Sequence, residues 1–337
     1  MRNYELLPVA LENAPKGDQF APADEHAGVW SYLSKDPCAN VRIVGDEELS
    51  DVAKLFHVEH PWGALYGKAG QCMNLRLNKE SKVVPATFAG IGKKGPGTIS
   101  FLLQNAGPRS AELLKLRQGD SLEVNAPIGQ PTELDGVNSA VLLGGGYGCA
   151  TSVCQAEALR ALNPDAHITI IIGARTYEFV YLENDARKIA DEVMIYTDEG
   201  DYGTKGRVTD GLTKILDAGT KVDRIFQTGP VAMMRAVQDL AINKYNIPVD
   251  TSVNPPFECG GGYICDSCVI RARFYDPEEK TYGDWRTAFA CQEGPSILGE
   301  VDFSYEVKLV TEPDGFRQVD AANLEHRQLY PTKETQV

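Results

Sequence analysis

A chain of 337 residues, 43% hydrophobic and 24% charged, is long enough for two or three domains with cores of their own and is ordinary in composition for a globular protein. Its 47 acidic side chains outnumber 33 basic ones, and the formal net charge of −14 argues against nucleic acid or an anionic membrane surface as partners. No stretch approaches the length of about 18 apolar residues needed to span a bilayer, and no basic segment leads into an apolar one, so a cytoplasmic protein without membrane insertion is expected.

Residues 1–37 are rich in Pro, Ala, Asp and Glu and show no sustained period, which predicts an arm rather than a domain. Its Trp30 and Tyr32 would pin it either to a partner or to the body of the chain. Short apolar segments follow at Val41–Val44, Val52–Val58, Gln71–Leu77, Thr98–Leu103 and Ser121–Val124, broken by Gly and Pro. That spacing predicts an antiparallel β-barrel over 38–136, with a helical insert at Arg109–Leu116.

From Val137 the pattern changes. Ser139–Leu143 is a buried-type strand that runs into Gly144-Gly145-Gly146-Tyr147-Gly148 and then a helix carrying Val153, Ala156, Leu159 and Leu162. A second apolar strand, His167–Ile172, and the alternation through Glu192–Tyr196, Val208–Leu216, Arg224–Gln227 and Val231–Ile242 predict a doubly wound α/β domain over 137–250. A glycine-rich turn between strand and helix suits a pyrophosphate, because side chains are absent and helix-start N–H groups point outward. A purely structural turn has the same pattern.

Strand ends in such a sheet meet ligands at its carboxyl edge. Here they carry Gly173-Ala174-Arg175-Thr176, Thr197-Asp198-Glu199-Gly200 and Thr228-Gly229-Pro230. Arg175 suits the 2′-phosphate of NADPH, with a solvated loop arginine as the alternative, and Thr228 is placed to face a nicotinamide.

Residues 251–302 hold four of the eight cysteines: Cys259, Cys265 and Cys268 within ten residues around Gly260-Gly261-Gly262, and Cys291 in Cys-x-x-Gly-Pro. This is close to the C-x4-C-x2-C…C spacing of plant-type [2Fe–2S] clusters, with one residue more in the first gap. A structural zinc site and a disulfide framework are the alternatives. Cys38, Cys72, Cys149 and Cys154 are scattered among apolar neighbours, as reduced core thiols are. The histidines at 26, 57, 60, 167 and 326 are dispersed, and no hydrolytic constellation accompanies them, so no catalytic side chain is assigned. Residues 303–337 are a polar tail with one strand candidate, Tyr305–Val310.

The order barrel, glycine-rich nucleotide domain, four-thiol segment resembles the ferredoxin-NADP reductase-like superfamily over about residues 40–302. Within it, the chain is similar to the electron-transfer subunits of two-subunit dihydroorotate dehydrogenases and to the small subunits of NADH-dependent ferredoxin:NADP oxidoreductase and sulfide dehydrogenase. The motifs are Leu143–Ala150, Gly173–Thr176, Tyr196–Gly200, Thr228–Pro230 with Met233-Met234, and Phe289–Pro295.

The resemblance implies an α+β multidomain protein: an antiparallel β-barrel flavin domain, a doubly wound nucleotide domain and a small C-terminal [2Fe–2S] domain. It implies FAD on Pro85, Ala86, Thr87, Phe88, Gly107, Arg109 and Ser110, and NAD(P)H on Gly144, Gly145, Gly146, Gly148, Arg175, Thr197, Asp198, Thr228, Gly229 and Pro230. It further implies a cluster on Cys259, Cys265, Cys268 and Cys291, and a larger catalytic oxidoreductase subunit as partner. The insertion Arg271–Arg286, with Tyr275, Tyr282 and Trp285, is either part of that docking surface or an elaborated loop.

The chain departs from the family at several places. Val83-Val84 stand where an arginine usually precedes the flavin-contacting proline, Arg109 where glycine is common, Thr151 where proline is usual and Thr228 where cysteine is usual. The extra residue in the first cysteine gap makes Glu258 a candidate oxygen ligand. The competing reading is a non-catalytic assembly subunit with a degenerate flavin site and a structural metal.

Overall fold

The computed structural model describes residues 38–255, 257–258 and 267–304 in full, and 307–312 and 315–320 as backbone. The predicted arm at 1–37 with Trp30 and Tyr32, the glycines 260–262 and the predicted ligands Cys259 and Cys265 lie outside the described residues.

The first half of the chain closes into a barrel of six antiparallel strands. In chain order these are β1 (Ala39–Ser50), β2 (Ala53–Glu59), helix α1 (Pro61–Tyr66), β3 (Cys72–Arg76), β4 (Val84–Ile91), β5 (Thr98–Gln104), helix α2 (Pro108–Leu113) and β6 (Ser121–Ile128). They pair in the order β1-β2-β5-β4-β3-β6, with β6 returning to β1. Alternate residues fill the interior, among them Ile43, Phe56, Met73, Leu75, Phe88, Phe101 and Val124. Helix α1 has no counterpart among the predicted elements, although its start carries Pro61 at the first position and the His60 ring accepting from Gly63 N at 2.8 Å. Helix α2 stops at Leu113, three residues short of the predicted end.

A mostly parallel sheet follows: β7 (Ser139–Gly145), a 3₁₀ turn at Gly146–Gly148, α3 (Cys149–Leu162), β8 (His167–Ala174), α4 (Glu183–Ile189), β9 (Glu192–Thr197), β10 (Thr204–Lys205), α5 (Val208–Asp217), β11 (Arg224–Thr228), α6 (Val231–Gln238) and β12 (Val249–Ser252). The order β10-β9-β8-β7-β11-β12 places helices on both faces, as the alternation predicted. Leu142, Ile168, Ile170 and Ile172 face Val153, Ala156 and Leu159 of α3 together with Ala53, Leu55, Ala89 and Leu102 from the outside of the barrel. Val141, Leu143 and Ile171 face Leu212 and Ile215 of α5 and Val237 of α6. The period of two along β7 and β8 therefore decides which face each helix covers. Cys149 and Cys154 are buried, and burial pushes both thiols up to about 12.

The sheet does not end at residue 250. After β12 come β13 (Val269–Asp276), β14 (Thr281–Tyr282), β15 (Arg286–Phe289), α7 (Ala290–Glu293) and β16 (Ser296–Val301), and β12 pairs antiparallel with β16, which pairs with β13. The boundary expected after residue 250 falls inside β12 because Asp250, Thr251 and Ser252 are polar yet buried, so the strand carries no apolar period. The tail holds a hairpin, β17 (Val307–Glu312) with β18 (Gly315–Asp320), where a single strand was expected. No helix of the described residues is long and apolar enough to cross a membrane.

Candidate functional site

Strand β4 is paired unequally. Its ladder to β3 runs from Val84 to Thr87, whereas its ladder to β5 runs only from Phe88 to Ile91, so Val84–Thr87 have a ladder neighbour on one edge. Pro85 and Thr87 lie on the outside, but the side chains of Ala86 and Phe88 are in the barrel core, 5% and 1% exposed. Of the four β4 residues predicted to contact FAD, two can present only backbone to a ligand outside the barrel.

Beyond β5 the chain turns at Asn105–Ser110. Gly107 adopts φ 154° with open space where a Cβ would stand. The Ser110 hydroxyl is buried, accepts from Ala106 N at 2.8 Å and donates to Gly107 O at 3.0 Å. The Ser110 hydroxyl thus shapes the turn and does not face outward. Arg109 has no ion-pair partner among the described residues.

Across from β4 lies the carboxyl edge of the sheet. There β7 ends beside β11, with Gly144 opposite Thr228. A Cβ on Gly144 would overlap Cys149, one on Gly148 the Thr228 carbonyl, and one on Gly145 would stand 2.7 Å from Met233 Sδ and 2.8 Å from Pro230 Cδ. These three glycines are demanded by the close approach of β7, α3 and the Thr228-Gly229-Pro230 turn. Gly146 differs: at φ +55° it has nothing within 4 Å and stands open at the start of the α3 segment.

Thr228 Oγ1 is buried with no hydrogen-bond partner among the described residues. So is Asn254 Oδ1, whose side chain lies beside the Tyr147 hydroxyl. Sequence reading missed Tyr147 and Asn254 as a pair, since only the pairing of β11 with β12 brings positions so far apart in the chain together.

The remaining predicted nucleotide contacts divide. Arg175 is 77% exposed and 3.9 Å from Glu199, at the tips of the β8 and β9 loops. Asp198 is exposed beside them. Thr197 is fully buried, and its hydroxyl donates to Tyr202 O at 2.7 Å, so it closes the β9 loop and does not face the edge.

The cysteine-bearing segment packs on the barrel. Phe257, Cys268, Ile270, Cys291 and Ile297 share a core with Cys72 and Ile128 of β3 and β6. Ala290 N donates to Cys268 O at 2.9 Å and Val269 pairs with Phe289, so Cys268 and Cys291, distant in sequence, sit at the same end of the β13–β15 ladder. Gln292 Nε2 lies 3.9 Å from Cys291 Sγ. Glu258 accepts from the Ser267 hydroxyl at 3.0 Å. Asn74, opposite Pro85 in the barrel, donates from Nδ2 to Phe257 O at 2.6 Å and so ties the base of the cysteine loop to β3. Among the described residues no group of three metal-ligating side chains is present.

No protein-family model matches the chain. It is 30% identical over 246 residues to a dihydroorotate dehydrogenase B (NAD(+)) electron transfer subunit homologue of Thermotoga maritima, covering 73% of this chain and 81% of the relative. The chain belongs to the family of these electron transfer subunits and their homologues. A probable electron transfer subunit of Methanocaldococcus jannaschii in the same family is 31% identical over 66% of this chain and 82% of its own length. The solved structure of the NADH-dependent reduced ferredoxin-NADP oxidoreductase aligns with a TM-score of 0.68 and 27% identity, covering 79% of this chain and 91% of that one. The expected resemblance is borne out.

Thr151 lies in the first turn of α3, and its hydroxyl is 2.7 Å from that of Thr87 on β4. Thr228 carries a hydroxyl at the sheet edge with no hydrogen-bond partner among the described residues. The half-paired edge of β4, open Gly146 and orphaned Thr228 Oγ1 are features that a flavin and a nicotinamide nucleotide would fill.

Proposed function

We propose that the chain is the electron-transfer subunit of an oxidoreductase complex, passing electrons between NAD(P)H, FAD and a [2Fe–2S] cluster, to or from a partner catalytic subunit. The observation that carries this reading is the contact of β4, beside its half-paired edge, with the first turn of the glycine-rich helix α3, which brings the two candidate cofactor surfaces together. FAD bound there would accept a hydride from reduced nicotinamide and release electrons singly to a cluster.

In this reading residues 38–136 carry the flavin. Pro85 and Thr87 flank its ring, the β4 backbone supplies hydrogen bonds, and Gly107 with Arg109 receives its phosphates. The nucleotide occupies the carboxyl edge of the sheet: Gly146 admits the pyrophosphate to the α3 N–H groups, Thr228 meets the carboxamide end, and Arg175 suits a 2′-phosphate. Cys259, Cys265, Cys268 and Cys291 ligate the cluster, and Gln292 supplies a donor beside Cys291. Asn74 holds the loop base next to the flavin strand, so the cluster would lie on the way out of this site.

The subunit's partner would carry the terminal substrate and dock beside the cysteine loop. On the β13–β15 ladder Trp285 is 38% exposed under the guanidiniums of Arg271 and Arg273 at 5.7 and 5.4 Å, an anchor of the kind interfaces use.

Anaerobic purification tests the proposal. Flavin and iron–sulfur absorption bands, with about one FAD and two irons per chain, are the expected result. A colourless protein containing zinc would sink it in favour of a non-catalytic assembly subunit.

A further inference from the structure

Thr87 and Thr151 lie where the outer face of β4 packs on α3, as Ala89 does against Cys149, Ala150 and Val153. Thr87 is on the outer face of β4 and Thr151 in the first turn of α3, and their hydroxyl oxygens are 2.7 Å apart. Neither hydroxyl has another hydrogen-bond partner among the described residues. Each carries one proton, and the pair can share it in two ways. Thr151 is 0% exposed, so if Thr87 were the donor the Thr151 proton would be buried with no acceptor, an unfavourable arrangement. With Thr151 as donor both requirements are met: the Thr151 proton is used, and the proton of the partly buried Thr87 points away from the pair and is left for another acceptor.

We infer that Thr151 is a positioning residue: it fixes the Thr87 hydroxyl as an oriented donor toward the bound flavin and locks the flavin strand to the glycine-rich helix. This rests on the flavin reading above. A donor held in place stabilises the negative charge that a flavin gains on reduction, so its loss lowers the reduction potential. Threonine at this position supplies a hydroxyl that meets β4.

The test is an anaerobic redox titration of the FAD-loaded protein. Thr151→Val is expected to bind FAD at the wild-type stoichiometry with a midpoint lowered by about 30 mV, the equivalent of about a tenfold change in the oxidised-to-reduced ratio of a two-electron couple. Thr151→Ser restores the wild-type value. Thr87→Val gives the same shift as Thr151→Val, and the double variant gives no more than either, because the two hydroxyls act as one unit.

Wild-type potentials in both single valine variants, or a double shift equal to the sum of the singles, would overturn the inference while leaving the flavin reading intact. Should Thr151→Val fail to fold, an unshifted Thr87→Val overturns it alone. Wild-type protein that takes up no FAD defeats both readings.

Discussion

Asp250 is 1% exposed, and its carboxylate accepts from the Ser296 hydroxyl, which lies 2.8 Å from Thr132 Oγ1, itself receiving Gln155 Nε2 at 2.8 Å. Burial pushes its pKa up to about 6, against the pull of Ser296 and Arg224. The folded state therefore holds this proton more tightly than the unfolded one, and Asp250 removes stability as pH rises from about 4 to about 6. His57 works the other way. Burial, with Lys94 and Lys93, lowers it to about 4, so its contribution is complete above its ordinary value of 6.5 and is lost as pH falls toward 4. The two slopes oppose each other across one window. Asp250→Asn should therefore leave the protein more stable than wild type at pH 7 and expose a steady loss between pH 6.5 and 4, read from urea midpoints; an unchanged pH profile would refute it. At the flavin face, Arg109→Ala should weaken FAD retention by about tenfold, the scale of one charge-assisted hydrogen bond, measured by flavin content after gel filtration.

At the scale of elements, the glycine-rich turn divides into packing and ligand positions. Gly148→Ala places a methyl on the Thr228 carbonyl, where backbone must move. Overpacking of this kind costs about 1–3 kcal/mol, and the expected outcome is a lowered unfolding temperature with or without nucleotide. Gly146→Ala meets nothing within 4 Å and carries only the strain of φ +55°, about 1 kcal/mol. Its main effect is predicted on nucleotide binding, as a raised KM for NAD(P)H with FAD content unchanged. Equal effects of the two variants on stability and on KM would contradict this division. Strand β4 is divided in the same manner: the pleat sends Ala86 and Phe88 inward and leaves Pro85 and Thr87 on the outside.

For the whole molecule, the cysteine segment is built into both neighbours. It pairs with the sheet through β12 and β16, Asn74 holds Phe257 O, and a Cβ at Gly129 of the barrel side would overlap Gly294 O. Cys291→Ser is predicted to lose iron while FAD remains reducible by NAD(P)H, with transfer to a one-electron protein acceptor abolished. Flavin reduction that fails together with iron content would show instead that the segment is needed to shape the barrel.

Much of the architecture was legible because it rests on local periods. Alternating strands announced the barrel, the strand-helix alternation announced the doubly wound sheet, and Gly144–Gly148 marked the turn between them. Polar strands were not legible: Asp250, Thr251 and Ser252 look like a linker and become a strand because β11 pairs with them on one edge and Ser296, Ile297 and Leu298 on the other. The same holds at the candidate site. Residue types alone marked Thr87, Gly146 and Thr228 as groups of interest, but not that Ser110 and Thr197 turn their hydroxyls onto their own loops. Nor did they show that Thr151 meets Thr87, or that Asn254 lies beside Tyr147. Such contacts join positions dozens of residues apart, and a hydrogen bond depends on where the folded backbone puts its two ends, which no local pattern encodes.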